Sequence, residues 1–330
     1  NMMELGGAEI AGIKMHAAID VTMRRNHIHH CTMGIWCDWE AQGTRLSQNL
    51  LHDNQRPPFA SVLKGGMMSQ DIFVEVGHGP TLIDNNIMLS DASLRFATEG
   101  VALVHNLICG ALTCVGGGTG PRYTPYHMPH RTEVMGFMTV LHGDDRFYNN
   151  IFVQKWPSDD IITMHDSDDG FDTENRATGT WMFDEYPTYD EWISQFDFSK
   201  PADMAKLYGA HEGKLPVWIE GNAYLGGAKP SKKDVNALIS AAAHEDVRVE
   251  LVQKEDGYYL DTNVYELIEG FKNRMIDSDV LGKAFEPEER FENPDGTAIR
   301  FDSDYFGTHR GVDVIPGPFA DANEAVKKLY

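Results

Sequence analysis

Two carboxylic acids stand beside aromatic residues in short apolar segments. Asp38 lies in the run Ile-Trp-Cys-Asp-Trp, and Glu75 lies in the run Ile-Phe-Val-Glu-Val. If both segments are strands, alternation places Trp36 with Asp38 on one face, and Phe73 with Glu75 on the same face of the other strand. Two carboxyl groups are what glycoside hydrolysis needs, because one protonates the leaving oxygen while the other attacks the sugar or activates water. We interpret this pair as candidate catalytic residues.

The same alternation predicts which residues of these strands face the protein interior. Ile35, Cys37 and Trp39 are expected to point inwards, so that the acids point outwards. A single outward acid is commonly a solvated surface group. Two acids with the same orientation and an aromatic neighbour are a functional pattern, provided that the fold brings the two strands together.

A repeat along the chain supplies that fold. An Asn followed by an aliphatic pair or near-pair recurs at spacings of 23, 20 and 44 residues, the last being twice 22, at Asn26, Asn49, Asn86, Asn106 and Asn150. Periods of this length indicate a solenoid. The segments between them are short β-rich runs separated by Gly, Asn and Asp, without amphipathic helices. The sequence therefore predicts an all-β right-handed parallel β-helix, in which the Asn side chains stack as an internal ladder.

The repeat also brings the two acids together. Asp38 follows Asn26 by 12 residues, and Glu75 follows Asn49 by 26, of which 14 belong to an apparent insertion at residues 56–69. The acids thus occupy one position on consecutive coils. Stacked strands lie about 4.7–4.9 Å apart, which favours a retaining mechanism because retaining enzymes hold their carboxyl groups about 5–5.5 Å apart. The next coil places Thr98 beside Glu99, a third acid expected close to the pair.

The rest of the chain divides into a continuation of the β-helix and an accessory domain. Residues 155–213 interrupt the period before a last coil at residues 217–222. We predict a β-helix domain at residues 1–226 and a β-rich, sandwich-like domain at residues 227–330, with a helix at residues 231–243 and a hairpin across the Lys-Glu-Asp-Gly turn. Since residues 12–21 already have the character of a core strand, we expect further coils upstream and an unpaired apolar rung here.

Several runs resemble the β-xylosidases of glycoside hydrolase family 120. They are Gly-Ile-Lys-Met-His-Ala-Ala-Ile-Asp, Trp-Cys-Asp-Trp-Glu-Ala-Gln-Gly-Thr-Arg, Phe-Val-Glu-Val-Gly-His-Gly-Pro and Leu-His-Gly-Asp-Asp-Arg-Phe-Tyr-Asn-Asn. The resemblance implies a parallel β-helix with a β-sandwich, and exo-acting release of xylose from xylo-oligosaccharides with retention. It assigns the nucleophile to Asp38 and the acid/base to Glu75.

Other residues are candidates for substrate binding. His16, Trp36 and His78 are close to the acids in the coil register and could bind sugar hydroxyls or stack on a ring. Glu99 is the third acid of that register, and His130 and His142, with His127, lie in turn-rich segments that resemble the family's. No Cys or His spacing typical of a zinc site is present, so no metal or other cofactor is expected. The acidic run 166–172 only partly matches a calcium loop, and the glycine-rich run 116–120 lacks the Lys-Ser/Thr of a phosphate loop.

The overall charge narrows the class of partner. The chain has 28 Lys and Arg against 50 Asp and Glu, a net charge of -22. This balance opposes binding to nucleic acid or anionic lipid and leaves a neutral oligosaccharide unaffected. A homo-oligomer is compatible with the sequence, and the cellular compartment is left open. Two alternatives remain: a β-helix polysaccharide lyase or pectinase, and a non-catalytic, carbohydrate-binding β-helix.

Overall fold

A computed structural model describes residues 9–55, 69–114, 123–155, 177–197, 199–200 and 214–330. Most of the predicted insertion (residues 56–68), the acidic run 166–172 and the glycine-rich run 116–120 lie outside these ranges. Among the described residues, no helix is long and apolar enough to cross a membrane. Short strands dominate, and the largest sheets are parallel, which confirms the prediction of an all-β chain.

Three parallel sheets are built by a chain that, over its first five coils, adds one strand to each sheet in turn. Sheet A consists of β1 (Ile13–His16), β4 (Ile35–Asp38), β7 (Ile72–Glu75), β10 (Ala92–Ala97) and β13 (Ala111–Cys114). Sheet B consists of β2 (Thr22–Arg24), β5 (Thr44–Ser47), β8 (Thr81–Asp84), β11 (Val101–Val104), β16 (Asp145–Tyr148) and β18 (Val217–Glu220). Sheet C consists of β3 (His27–His29), β6 (Leu50–His52), β9 (Ile87–Met88), β12 (Leu107–Ile108), β17 (Ile151–Val153), β19 (Ala223–Leu225) and β20 (Leu238–Ile239).

The predicted Asn ladder is present and extends one rung further than expected. It consists of Asn26, Asn49, Asn86, Asn106, Asn150 and Asn222, at the corner between sheets B and C. The Oδ1 atom of each Asn from the second onwards accepts two hydrogen bonds from the preceding Asn, one from its main-chain N–H and one from its Nδ2, at 2.9–3.0 Å. The residue before each ladder Asn has a positive φ, as in Arg25 and His105. This left-handed turn directs the amide into the solenoid.

Each sheet contributes one face to the interior. The main core lies inside the three sheets, and Ile35, Leu46 and Leu51 are members of it from one coil. The apolar outer face of sheet C packs against the C-terminal region, as Leu107 and Ile151 do with Leu260. The outer face of sheet B is covered in the same way by residues including Ile276, Phe291 and Phe301. The C-terminal region therefore covers the outer faces of sheets B and C. On the outer face of sheet A, Trp36 and Phe73 belong to a separate small apolar cluster.

Smaller elements complete the described chain. Antiparallel pairs are formed by β14 (Tyr123–His127) with β15 (Val134–Thr139), by β21 (Val249–Lys254) with β22 (Gly257–Thr262) and β25 (Val326–Lys328), and by β23 (Asn273–Arg274) with β24 (Asp313–Val314). The helices are short: α1 (Tyr189–Ile193), α2 (Val264–Leu267), α3 (Ser278–Leu281) and the 3₁₀ turns Trp181–Glu185 and His244–Asp246. The predicted hairpin across the Lys-Glu-Asp-Gly turn is thus confirmed.

The predicted helix at residues 231–243 is wrong. Asp234 accepts hydrogen bonds from Asn222 Nδ2 at 3.0 Å and from the Tyr224 hydroxyl at 2.6 Å, while Leu238 pairs with Ala223 as part of β20. Tertiary pairing with the last coil overrides the local capping signal of Ser231. The parallel stack therefore continues to Ile239, and the division of the chain at residues 226 and 227 stays a prediction.

Candidate active site

The two acids lie at the ends of adjacent parallel strands. The register aligns Trp36 with Phe73 and Cys37 with Val74, so the next position aligns Asp38 with Glu75. Cys37 and Val74 belong to the inner core, whereas Trp36 and Phe73 form a separate apolar cluster on the outer face. Because side chains alternate along a strand, Asp38 and Glu75 belong to the outer face of sheet A.

Asp38 is held by a lysine that sequence reasoning missed. The Lys14 Nζ atom on β1 lies 2.5 Å from Asp38 Oδ2 and 4.1 Å from the centre of the Trp36 ring. Burial would lower the pKa of Lys14, but its bonds to Asp38 and Glu9 outweigh burial and raise it. A permanent positive charge therefore stands beside a carboxylate that is only 6% exposed. The signal in the sequence was the alternation of β1, which puts Lys14 and His16 on one face.

Glu75 receives a hydrogen bond from the indole of Trp36 on the neighbouring strand. Trp36 Nε1 donates to Glu75 Oε2 at 3.0 Å. Trp36 is buried, and its ring also packs on Phe73 with ring centres 5.5 Å apart. The indole is thereby fixed from two sides, so it can hold the Glu75 carboxylate in one orientation. Trp36 therefore contacts one of the two acids, and its contact with substrate stays a prediction.

His16 is brought to the same face, and Trp39 departs from its predicted orientation. His16 is aligned with Asp38 in the β1–β4 pairing. The inward orientation predicted for Trp39 is wrong: β4 ends at Asp38, Trp39 has a φ of 32°, and its half-buried ring stacks on His16 with centres 5.9 Å apart. The left-handed turn ends the alternation and rotates the indole towards the site face.

His78 and Glu99 form a buried pair at the corner between sheets A and B. His78 Nδ1 lies 2.6 Å from Glu99 Oε1, and His78 Nε2 lies 3.1 Å from the carbonyl oxygen of Thr124. Since both ring nitrogens face acceptors, the imidazole carries two protons. Burial would lower the pKa of His78, but the Glu99 carboxylate outweighs it and raises the pKa. The ring of Tyr126 contacts His78 edge-on.

The expected third acid does not occupy the position of the pair on the next coil. Ala97, not Thr98 or Glu99, is aligned with Glu75. From Asn26 to Ile35 is nine residues, but from Asn86 to the aligned Leu94 is eight, so this corner is one residue shorter. Glu99 is fully buried, and its Oε2 accepts the Leu141 main-chain N–H at 2.7 Å. Contact of Glu99 with substrate stays a prediction.

The three histidines predicted in the turn-rich segments have different partners. His142 is buried after β15, and burial lowers its pKa to about 4, which makes it a neutral ring. His130 lies in the turn between β14 and β15, with Nδ1 2.9 Å from Asp20 Oδ1. His127 lies 3.8 Å from Glu40 through its Nε2 atom. The structure thus groups His16 and Trp36 with the two acids, pairs His78 with Glu99, brings His142 to the same corner as Glu99, and places His130 against Asp20.

One solved structure resembles the fold of this chain. The chain matches the solved structure of XylC in complex with xylose, with 34% sequence identity and a TM-score of 0.80, over 98% of the chain. The resemblance to glycoside hydrolase family 120 is thereby confirmed. The chain spans 45% of the length of XylC. No family model and no curated protein that was compared matches the chain.

Proposed function

We propose that the protein is a retaining, exo-acting β-xylosidase that releases xylose from xylo-oligosaccharides by double displacement. The observation that carries this proposal is the parallel pairing of β4 with β7 up to Cys37 and Val74, directly after which Asp38 and Glu75 end the two strands. Adjacent strands lie about 4.7–4.9 Å apart, close to the roughly 5–5.5 Å that retaining enzymes use and less than the roughly 6.5–9.5 Å of inverting ones. The likeness to a protein solved with xylose supports the choice of sugar.

The proposed mechanism gives the two acids different roles. Asp38 attacks the anomeric carbon while protonated Glu75 donates its proton to the leaving oxygen. Glu75, now ionised, removes a proton from water, which releases xylose from Asp38. The Lys14 ammonium compensates the charge of buried Asp38 before the attack, and the Trp36 indole holds Glu75 against the site.

The proposal extends to the architecture. We infer that the three sheets form a right-handed parallel β-helix, because each of the first five coils adds one strand to sheets A, B and C in the same order. We also propose a division into a catalytic β-helix at residues 1–226 and a sandwich-like accessory domain at residues 227–330. The β21–β22–β25 sheet supports the second unit, although β20 belongs to the parallel stack.

The test of the roles uses substrates with different leaving groups. Glu75→Ala should abolish turnover of xylobiose far more than turnover of activated aryl xylosides, because an activated group leaves without a proton. Added azide should restore turnover and give a β-xylosyl azide. An equal loss on all leaving groups without azide rescue would contradict the acid/base role.

The test of the nucleophile is direct labelling. A 2-deoxy-2-fluoro xyloside with an activated leaving group should inactivate the wild type and add one sugar to the peptide that contains Asp38. Asp38→Asn should take up no label. Labelling of another carboxylate would show that Asp38 is not the nucleophile, and an α-configured first product would exclude retention.

A further inference from the structure

A second cluster of ionisable groups lies outside the proposed catalytic pair. Asp20, His130 and Glu289 each present one donor atom, and these atoms lie within 4.8 Å of one another. The residues come from three separate parts of the chain: the corner after β1, the turn between β14 and β15, and the C-terminal region. Gln42 connects them, because its Nε2 donates to Glu289 Oε2 at 2.7 Å and to the His127 carbonyl at 3.0 Å.

Glu289 directs an unused oxygen into this cluster. The residue is 1% exposed, and within the described part of the chain its Oε1 atom has no hydrogen-bond partner. Burial, the first cause, and the Asp20 charge raise the pKa of Glu289, while Gln42 and His130 lower it. A buried carboxylate oxygen without a donor is costly unless a cation or a proton satisfies it.

Gly43 keeps the space between the two carboxylates open. A Cβ atom on Gly43 would stand 2.3 Å from Asp20 Oδ1 and 2.8 Å from Glu289 Oε1. Both oxygens therefore point at the same place, and a larger residue would collide with them. Gly43 also has a φ of 64°, which favours glycine.

The types of the donor groups, and not their separations, indicate which ion the cluster would bind. His130 Nδ1 and Asp20 Oδ1 are 2.9 Å apart. That separation is also the length of an ordinary N–H···O hydrogen bond, which a protonated ring would make with Asp20. Glu292 Oε1 lies 3.4 Å from His130 Nε2 and adds a further carboxylate on the far side of the ring. An imidazole with carboxylates suits a borderline cation such as Mn²⁺ or Zn²⁺, whereas Ca²⁺ is coordinated by oxygen ligands.

We propose that Asp20, His130 and Glu289 bind one divalent cation of the Mn²⁺ or Zn²⁺ class. The ion ties the β14–β15 turn and the C-terminal region to the corner that follows β1. Since His127 and Gln42 belong to the same network, the bound ion holds the hairpin beside Glu40, two residues beyond Asp38. The competing occupant is a proton on His130, which pairs the ring with Asp20 and Glu292. Burial lowers the pKa of His130, but these two carboxylates outweigh it and raise the pKa.

The experiment measures metal binding directly, without activity. The EDTA-treated protein is titrated calorimetrically with Mn²⁺, Zn²⁺ and Ca²⁺, beside the isosteric variant Glu289→Gln and the control Glu250→Gln on the exposed surface of β21. We expect one equivalent of Mn²⁺ or Zn²⁺ in the wild type and the control, weaker Ca²⁺ binding, and an affinity at least about tenfold lower in Glu289→Gln. Binding should release a proton where His130 is protonated.

A second variant protects the test against misfolding of Glu289→Gln. His130→Asn changes a residue on the part-exposed hairpin turn. With Co²⁺ as the bound ion, the visible absorption spectrum of His130→Asn should differ from that of the wild type, because the variant has lost the imidazole ligand. Absence of saturable Mn²⁺ or Zn²⁺ binding at millimolar concentration in the wild type would overturn the proposal. So would binding that is unchanged in both variants, because the ion would then lie elsewhere.

Discussion

The Asn ladder and the outer face of sheet A are both rows of polar side chains that run across the coils, but their hydrogen bonds differ. In the ladder, each internal Asn bonds to another Asn on both sides, and its Nδ2 also reaches a main-chain carbonyl, as Asn106 does with Ile83 at 2.8 Å. On sheet A, Asp38 bonds to a lysine and Glu75 to an indole. The Asn side chains of the ladder bond to one another and form a rigid row. The two acids of sheet A bond to residues of other types, and their carboxylates remain available for chemistry.

The largest expected effect is a loss of activity on substitution of Asp38 on the outer face of sheet A. Asp38→Asn keeps the size of the side chain but removes the nucleophile, so kcat on an aryl xyloside should fall by about 10⁴-fold or more. The unfolding midpoint should change little, because the partner Lys14 is already part-exposed. Steady-state kinetics with thermal unfolding of the same samples checks both statements. A stable variant that retains a tenth of the activity would contradict the assignment.

Substitution in the Asn ladder should lower stability and leave activity nearly unchanged. Asn106→Ala removes hydrogen bonds to Asn86 and Asn150 and leaves buried amide groups unpaired, each at about 1–3 kcal/mol. We expect the free energy of unfolding to fall by about 3 kcal/mol or more, with little change in kcat per folded molecule. Asn323→Ala on the exposed C-terminal segment is the matched control. Chemical denaturation gives the difference, and an unaltered midpoint in Asn106→Ala would show that the ladder does not stabilise the coils.

A smaller effect tests whether unlike partners matter on sheet A. Trp36→Phe keeps a packed ring against Phe73 but removes the N–H that bonds to Glu75. A hydrogen bond to a charged group contributes about 1.5–3 kcal/mol, so kcat should fall about tenfold to a hundredfold. The loss should be larger for poor leaving groups, which depend on Glu75. Trp218→Phe on the outer face of sheet B is the control and should leave kcat unchanged.

The smallest expected effect concerns a third polar row, the histidines at the start of sheet C. His27 Nε2 lies 2.7 Å from His52 Nε2, and the His27 ring contacts His29, Tyr258 and Tyr330.

Burial, together with the charges of His52 and His29, lowers the pKa of His27 from 6.5 to about 4. The folded state therefore holds this ring neutral, and the unfolded state binds the proton first. The contribution of His27 to stability should be constant above about pH 6.5 and decrease as the pH falls towards about 4. His27→Gln should reduce the drop in melting temperature between about pH 7 and pH 5. An identical pH dependence in the variant would show that other groups cause it.

The parts that repeat were predictable from the sequence. Five ladder Asn residues and the alignment of Asp38 with Glu75 follow from a constant coil length, because each coil must return to the same place. The prediction for Glu99 used the same count of 12 residues from the ladder Asn, which gave Thr98 as the position aligned with Glu75. The aligned residue is Ala97, because the corner before Leu94 is one residue shorter. The predicted inward orientation of Trp39 was wrong for a related reason, because a left-handed turn ends the strand at Asp38.

The parts that do not repeat could not be predicted from the period. Lys14 follows from alternation on β1, but its pairing with Asp38 needs the register of two strands. The contact between Asp20 and Glu289 joins residues 269 positions apart in the chain, and no local pattern relates them. The segment at residues 231–243 has a helix-like sequence, but it is not helical, and its residues 238–239 pair with β19 as a strand. Long-range packing decides such segments.

The Asn ladder also gives the solenoid an electrical direction. Every amide from Asn49 to Asn222 points its oxygen at the preceding coil, so the group dipoles add, as peptide dipoles do in an α-helix. The negative end of this array faces the first coils, and the positive end is the Nδ2 group of Asn222. Asp234 accepts from that group at 3.0 Å, so a carboxylate terminates the array as an acidic residue caps a helix N-terminus.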